Sequence, residues 1–289
     1  MKNETTITPA TRICAVIGNP VSHSLSPALH NAAFRELGLD FVYVAFRVED
    51  LKSALGGMRA LENFRGMSVT IPHKIEAMKY VDELADLDKK IGSINTIINE
   101  NGKLRGLGTD GPGALKALED AGVAIGGKKI LMLGAGGAAR AIAFTLAMER
   151  TLDRLTLLDI NEPLLNRLAS DLRNGTYAKV DADLLNDTSV RNKVKDADII
   201  INCTPIGMHP KEGVSLVPKE LFRPDQAVFD VVYTPLETRL LSDASANGAK
   251  SVSGVEMFIN QAVLQFKEFT GVEAPQEVMR RVVMERLRV

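Results

Sequence analysis

Lys129-Ile130-Leu131-Met132-Leu133-Gly134-Ala135-Gly136-Gly137-Ala138-Ala139-Arg140 sets an apolar run against a glycine-rich turn and a string of helix formers. The run predicts a buried strand over Lys129 to Leu133, and the alanines predict a helix over Ala138 to Glu149. Gly134, Gly136 and Ala139 make G-x-G-x-x-A, in which small residues let a pyrophosphate approach the N–H groups that open a helix. Leu155 to Asp159 reads as the next strand, and its terminal acid falls about 20 residues on, where a carboxylate meets the ribose of a dinucleotide. Gly134, Ala135, Gly136, Gly137, Ala138 and Asp159 are therefore candidate cofactor-binding residues. A tight turn without a ligand would need the glycines but not the acid. The Gly-Lys-Ser/Thr ending of a P-loop is missing.

Outward from this turn, apolar runs alternate with helix-periodic segments, the pattern of an α/β fold with largely parallel sheets. Downstream, the reading is helix Pro163 to Leu172, strands Asp198 to Asn202 and Ala227 to Val232, and helix Leu236 to Ala246. Upstream, Ile13 to Ile17 is a strand, Ser26 an N-cap with Pro27 at the first helical position, and Gly38 the end of that helix. Strands at Phe41 to Val48, Gly66 to Ile71 and Ser93 to Ile98 follow, with helices at Leu51 to Leu61 and before Ser93; Asn101-Gly102 turns a hairpin. The turn cluster Gly111-Pro112-Gly113 marks a boundary. Two domains are expected: a substrate-binding α/β domain over 1–111, and a Rossmann-type dinucleotide domain over 112–254. Helices Val255 to Phe269 and Pro275 to Leu287 have no strands to serve, so 255–289 should return to complete the first domain.

The chain of 289 residues is 45% hydrophobic and 25% charged, which supports full cores and excludes general disorder. A net charge of -1 leaves no basic field for nucleic acid or an anionic membrane, and 5% aromatics without Trp leave no base-stacking platform. No apolar run reaches the about 20 residues that span a bilayer, and Met1 to Arg12 has no signal-like stretch, so cytoplasmic residence is expected. Cys14 and Cys203 sit in apolar runs and read as reduced core thiols. His23, His30, His73 and His209 have no metal-ligand spacing and read as loop or surface residues; no metal site is expected. A monomer and a homodimer both remain open.

In the first domain, polar residues gather where strands should end: Ser24 and Ser26, Thr70 and Lys74, Asn95, and Asp110 at the domain junction. Carboxyl ends of strands border the ligand crevice of open α/β sheets. Singly, Ser26 is explained as a cap and Asp110 as a turn residue. Together they suggest a polar small-molecule site.

Six motifs in order carry a more specific likeness: Gly18-Asn19-Pro20 with Ser22-His23-Ser24-Leu25-Ser26-Pro27, Val69-Thr70-Ile71-Pro72-His73-Lys74, Asn95-Thr96, Thr109-Asp110-Gly111, the glycine-rich turn, and Gly254-Val255-Glu256-Met257 with Gln261. From about Arg12 onward the chain resembles the shikimate dehydrogenase family, which includes quinate/shikimate enzymes. The resemblance implies reversible hydride transfer between NAD(P)H and 3-dehydroshikimate, giving shikimate on the route to aromatic amino acids. It implies that Ser24, Ser26 and Tyr233 hold the substrate carboxylate, and that Thr70, Lys74, Asn95, Asp110 and Gln261 hold the ring hydroxyls. Val231 belongs with the cofactor residues, and Gly254 and Met257 match positions lining the nicotinamide pocket. Lys74 and Asp110 match the family's catalytic pair: an ammonium near a ketone being reduced offsets the charge growing on its oxygen and can hand over a proton.

The chain departs from the family pattern at Ser68 and Gly108, where Asn is usual, and at Asp159-Ile160, where NADP-dependent members commonly carry Asn-Arg. NADP is the family norm, but a carboxylate at 159 accepts both ribose hydroxyls of NAD and repels a 2′-phosphate, so NAD is expected to be preferred. Arg140, Arg167 and Lys250 are the cations within reach of a phosphate on this reading. Two alternatives stay open: a quinate-preferring catabolic relative, and a redox sensor that binds the dinucleotide without turnover.

Overall fold

The structure, a computed structural model, describes residues 6–287. It divides into two compact units, one formed by the residues up to Thr109 with those from Gln261 onward, the other by Asp110–Asn260.

The first unit runs β1 (Arg12–Gly18), α1 (Ser26–Glu36), β2 (Phe41–Arg47), α2 (Leu51–Arg59), β3 (Phe64–Val69), β4 (Glu83–Leu84), α3 (Asp86–Ile91), β5 (Thr96–Glu100) and β6 (Lys103–Leu107). Its sheet has the order β2-β1-β3-β5-β6-β4, with β1 parallel to β2 and β3, and β5 antiparallel to β3 and β6. Asn101 (φ 55°) and Gly102 (φ 87°) turn the β5–β6 hairpin in the left-handed conformation that such turns require. Ile17, Leu55, Met67, Ile97 and Leu104 are core side chains between this sheet and α2.

Several sequence expectations shift here. Ser26 is not the N-cap of α1; Leu25 occupies that position without a side-chain cap, Ser26 is the first helical residue and buried, and Ser24 Oγ accepts its N–H at 3.3 Å. β3 ends at Val69, two residues before the expected Ile71, because the His73 N–H bonds back to the Thr70 carbonyl at 2.9 Å and starts a turn. The single helix expected before Ser93 is a 3₁₀ turn at Glu76–Tyr80, then β4 and α3. His30 and His73 are buried, not surface residues. The His30 ring stacks on Tyr43 at 4.4 Å, and burial lowers its pKa to about 3, partly opposed by Gln265; His73 Nε2 reaches the Val48 carbonyl at 2.9 Å.

The second unit runs α4 (Asp110–Asp120), β7 (Lys129–Leu133), α5 (Gly137–Glu149), β8 (Arg154–Asp159), α6 (Glu162–Gly175), β9 (Val180–Leu184), α7 (Asp187–Asp196), β10 (Ile199–Asn202), β11 (Ala227–Asp230), α8 (Arg239–Ala246) and β12 (Lys250–Ser253), then the start of α9 (Gly254–Thr270). Its strands are all parallel, in the order β12-β11-β10-β7-β8-β9. That is the doubly wound Rossmann arrangement, with its switch point between β7 and β10. Leu131, Leu133, Ile200, Val228 and Leu240 belong to the core on one face of this sheet.

The compact units part at Thr109/Asp110 and Asn260/Gln261, beside the domain boundaries expected at 111/112 and 254/255. Gly111-Pro112-Gly113 does not form a linker: it opens α4, where proline needs no N–H, and a Cβ on Gly111 would collide with Thr145 on α5. At the other end the chain passes straight through α9, so no loop marks the change of unit. The rest of α9 and α10 (Gln276–Leu287) belong to the first unit, where Phe266, Phe269, Met279 and Val283 are buried and α10 packs on α1. Among the described residues no helix is long and apolar enough to cross a membrane.

Candidate functional site

In the second unit the polypeptide leaves β7 through Gly134, whose φ of 105° and N–H to the Leu158 carbonyl at 2.7 Å hold the turn. A Cβ there would meet the Cys203 backbone at 3.1 Å, so Gly134 is set by the protein's own packing at the switch point. Gly136, the N-cap of α5, and Gly137 differ: a Cβ on either meets no protein atom within 4 Å. Packing therefore does not demand glycine at these two places. What they keep clear is the space in front of a helix N-terminus, which fits a dinucleotide pyrophosphate. Asp159 ends β8 with Oδ2 accepting the Ala135 N–H at 2.6 Å and Oδ1 accepting the Asn161 N–H at 2.7 Å. Its half-exposed carboxylate fastens the turn and still has lone pairs for ribose hydroxyls. Ala135 is buried, Ala138 half-buried and Ile160 80% exposed.

Two of the cations expected within reach of a phosphate have partners within this unit. Arg140 pairs with Asp171 at 2.6 Å and lies over the Phe144 ring; Lys250 Nζ donates to the Ala121 carbonyl at 2.9 Å. Cys14 and Cys203 have thiols pushed up by burial.

Beyond β11 a buried carboxylate organises the next loop. Asp230 accepts from Asn202 Nδ2 at 2.9 Å, the Val232 N–H at 3.1 Å and the Thr238 hydroxyl at 2.7 Å, with burial holding its pKa up. These bonds tie β10, β11 and the start of α8 around Val231-Val232-Tyr233. Tyr233 is half-buried with its ring stacked on Phe258 at 4.9 Å, and burial raises its phenol. Gly254 has a packing reason of its own, since a Cβ would strike the Val231 and Val232 carbonyls. Met257 is buried on the first turns of α9, and Asp110 is buried at the start of α4.

In the first unit the turn after β3 lies beside the ends of β1 and β5. The Thr70 N–H bonds the Ile17 carbonyl at 2.9 Å, the Val69 N–H the Asn95 carbonyl at 2.7 Å, and the Ile94 N–H the Lys74 carbonyl at 3.0 Å. Thr70 and Lys74 are half-buried; Asn95 is buried. Asn95 Oδ1 accepts the Thr109 N–H at 2.8 Å and Nδ2 donates to Gln261 Oε1 at 3.1 Å, so two of the residues expected around the ring hydroxyls, Asn95 and Gln261, are in direct contact. Ser24 lies half-buried ahead of α1, and the Ser26 hydroxyl is beside the Tyr43 phenol, whose pKa burial pushes far up.

Ser24, Ser26, Thr70, Lys74, Asn95 and Gln261 thus belong to one unit, Asp110, Tyr233, Val231, Gly254, Met257 and the glycine-rich turn to the other. The sequence reading missed Thr109, Tyr43 and Gln265 as polar partners of this cluster. One signal was legible: Gln261 and Gln265 are one helical turn apart within an otherwise apolar stretch.

Comparison with known proteins agrees with both units. Residues 16–97 match the shikimate dehydrogenase substrate binding domain, 254–284 the shikimate 5'-dehydrogenase C-terminal domain, and 130–211 the saccharopine dehydrogenase NADP binding domain. A shikimate dehydrogenase (NADP(+)) of Methanosarcina barkeri is 43% identical over 96% of this chain and 99% of its own length. A crystal structure of a shikimate dehydrogenase in complex with NADP+ is 40% identical, with TM-score 0.89 and 98% of each chain covered. The shikimate 5-dehydrogenase of Listeria monocytogenes in complex with shikimate and NAD is 36% identical, with TM-score 0.91, covering 98% of this chain and 100% of that one. With this identity along nearly the whole length, and with the glycine-rich turn and the Asn95–Gln261 contact in place, the chain belongs to the shikimate dehydrogenase family.

Proposed function

We propose that this protein is an NAD(P)-dependent shikimate dehydrogenase that interconverts 3-dehydroshikimate and shikimate. The observation that carries the reading is the space kept clear over Gly136 and Gly137, combined with a hydroxyl-and-amide cluster suited to a polyol. A bound nicotinamide supplies or accepts the hydride. Gly134 to Ala138 would hold the pyrophosphate at the start of α5 and Asp159 the ribose, with Val231, Gly254 and Met257 toward the nicotinamide.

The chain's own groups divide the remaining work. Ser24, Ser26 and Tyr233 offer neutral hydroxyl donors to the substrate carboxylate; Thr70, Asn95, Asp110 and Gln261 hold the ring hydroxyls. Lys74 Nζ stabilises the charge that develops on the carbonyl oxygen and delivers the proton to it; in the reverse direction it takes that proton back. Asp110 orients the hydroxyl and the ammonium. A sensor that does not turn over would need neither Lys74 nor the polyol cluster.

Within this reading NAD is preferred to NADP. A carboxylate ends β8, the exposed neighbour Ile160 brings no charge, and Arg140 and Lys250 already have partners within the protein. The test is steady-state oxidation of shikimate and of quinate with each dinucleotide. Shikimate with NAD should give the highest kcat/KM. Quinate as the better substrate would indicate the catabolic relative, and no turnover with either would indicate a sensor.

A further inference from the structure

Below the Asn95–Gln261 contact, a chain of buried hydrogen bonds leads from Asn95 through Thr96, Gln265 and Ser68 to Tyr43. The Tyr43 hydroxyl donates to Ser68 Oγ at 2.6 Å, and the Ser68 hydroxyl donates to Gln265 Oε1 at 2.8 Å. Gln265 Nε2 donates to the Asn95 carbonyl at 3.2 Å and to Thr96 Oγ1 at 3.0 Å. The Thr96 hydroxyl donates to Asn95 Oδ1 at 2.9 Å. All five residues are buried.

The direction of this chain is determined at two points. A backbone carbonyl only accepts, so the end of Gln265 that faces the Asn95 carbonyl is its NH₂, and its oxygen faces Ser68. A backbone N–H only donates, so the atom of Asn95 that meets the Thr109 N–H is its oxygen, and its NH₂ faces Gln261. With both amides oriented, Ser68 must donate to Gln265, and Thr96 must accept from Gln265 while donating to Asn95. Gln261 then accepts from Asn95 with Oε1, and its amide nitrogen is the end turned away.

We propose that Gln265, anchored by Ser68, is a positioning and specificity-determining residue for the ring-hydroxyl site. By fixing the Thr96 hydroxyl and the Asn95 backbone it reinforces the hold of the Thr109 N–H on the Asn95 amide, whose NH₂ in turn makes Gln261 present a donor. The ligand oxygen that meets Gln261 must therefore accept a hydrogen bond. Ser68 stands where the family pattern has Asn, and it is the residue that Gln265 takes hold of; the departure from the pattern thus belongs to a built network. This inference rests on the shikimate reading of the site.

The test compares Gln265→Met, which keeps the length and bulk of the side chain but none of its hydrogen bonds, with Ser68→Ala and the double variant. Wild-type oxidation of shikimate tests the reading itself; without it the site assignment fails, and the inference with it. With wild type active, Gln265→Met should raise the KM for shikimate about 10-fold while kcat changes less than about 3-fold and the KM for the dinucleotide stays put. Ser68→Ala should raise it about 3-fold. Because the Ser68 hydroxyl reaches Asn95 through Gln265, the double variant should match Gln265→Met alone, a non-additive cycle that a general loss of stability would not produce. Shikimate KM unchanged in folded Gln265→Met, or additive effects in the double variant, would overturn the proposal. If Gln265→Met does not fold, Ser68→Ala, which deletes one hydroxyl, decides alone: an unmoved shikimate KM rejects it.

Discussion

Gly136 and Gly137 are glycines that the protein's own packing does not ask for, while Gly134 and Gly254 are glycines that it does. That contrast separates open space from backbone crowding one residue at a time. Asp159 fastens the turn through the Ala135 N–H, and on the proposed function it also sets the charge that the ribose meets. The double change Asp159→Asn with Ile160→Arg removes the repulsion and adds a phosphate partner, so the ratio of kcat/KM for NAD to that for NADP should fall at least 10-fold in steady-state assays. A ratio that stays at the wild-type value would show that the phosphate is read elsewhere. On the proposed role of Lys74 as proton donor, Lys74→Ala should lower kcat by roughly 100-fold or more, the scale of a general acid. Dinucleotide affinity, measured by fluorescence titration, should be unchanged. Near-normal turnover in that variant would remove Lys74 from the chemistry.

Elements show how far local pattern reaches. The β7–α5 turn and the α9–α10 pair were legible because long apolar runs, caps and glycines agree there. β9 and α7 were not: Val180-Asp181-Ala182-Asp183-Leu184 carries two acids against strand propensity, and α7 buries only Val190 and Val194. His30 read as a surface residue because what buries it, Tyr43 on β2 and Phe266 on α9, comes from other elements. The candidate site was legible as residue types but not as contacts, since Gln265 joins it only once α9 lies across the ends of β3 and β5. Gly108, the other departure from the family pattern, is explained at this scale: a Cβ would sit 2.8 Å from Asp88 Oδ1, which accepts the Gly108 N–H at 2.9 Å. Burial on α3 raises the Asp88 pKa to about 6, against a usual value near 3.8. Because the folded value is the higher one, the protonated carboxyl stabilises the fold fully below the unfolded pKa, and that contribution is lost as pH rises through about 6. Asp88→Asn keeps an acceptor for Gly108 without the charge. In thermal melts it should exceed wild type in Tm at pH 7.5, with the gap closing as pH falls toward 4. A gap independent of pH would mean that Asp88 is not strained by its burial.

For the whole molecule, the two units differ in how the chain builds them. The second is a single continuous segment with its own parallel sheet and core, whereas the first is closed by residues from the far end of the chain. Arg65 shows the dependence: Nε donates to the Phe269 carbonyl at 2.9 Å and Nη2 to the Glu268 carbonyl at 3.1 Å, and Gly66 leaves room for the Phe269 ring. Phe266 and Phe269 are fully buried, and losing a buried Phe side chain costs about 3–5 kcal/mol, a large part of the stability of a domain this size. Residues 1–109 expressed alone should therefore lack a cooperative unfolding transition, because Tyr43 on β2 and the stretch of β3 from Arg65 to Ser68 lose the α9 side chains that cover them. Residues 110–260 alone should fold and bind the dinucleotide. The ends of the first unit are also close enough to rejoin, since Thr109 Oγ1 and Gln261 Oε1 both accept from the same Asn95 amide nitrogen, at 3.0 and 3.1 Å. A chain of residues 1–109 joined to 261–289 by a flexible Gly/Ser linker of about six residues can span that gap. It should recover a cooperative melt by circular dichroism, with Phe269→Ala lowering its Tm sharply. If 1–109 alone melts as cooperatively as the rejoined chain, the C-terminal helices are an accessory to the first unit and not part of its core.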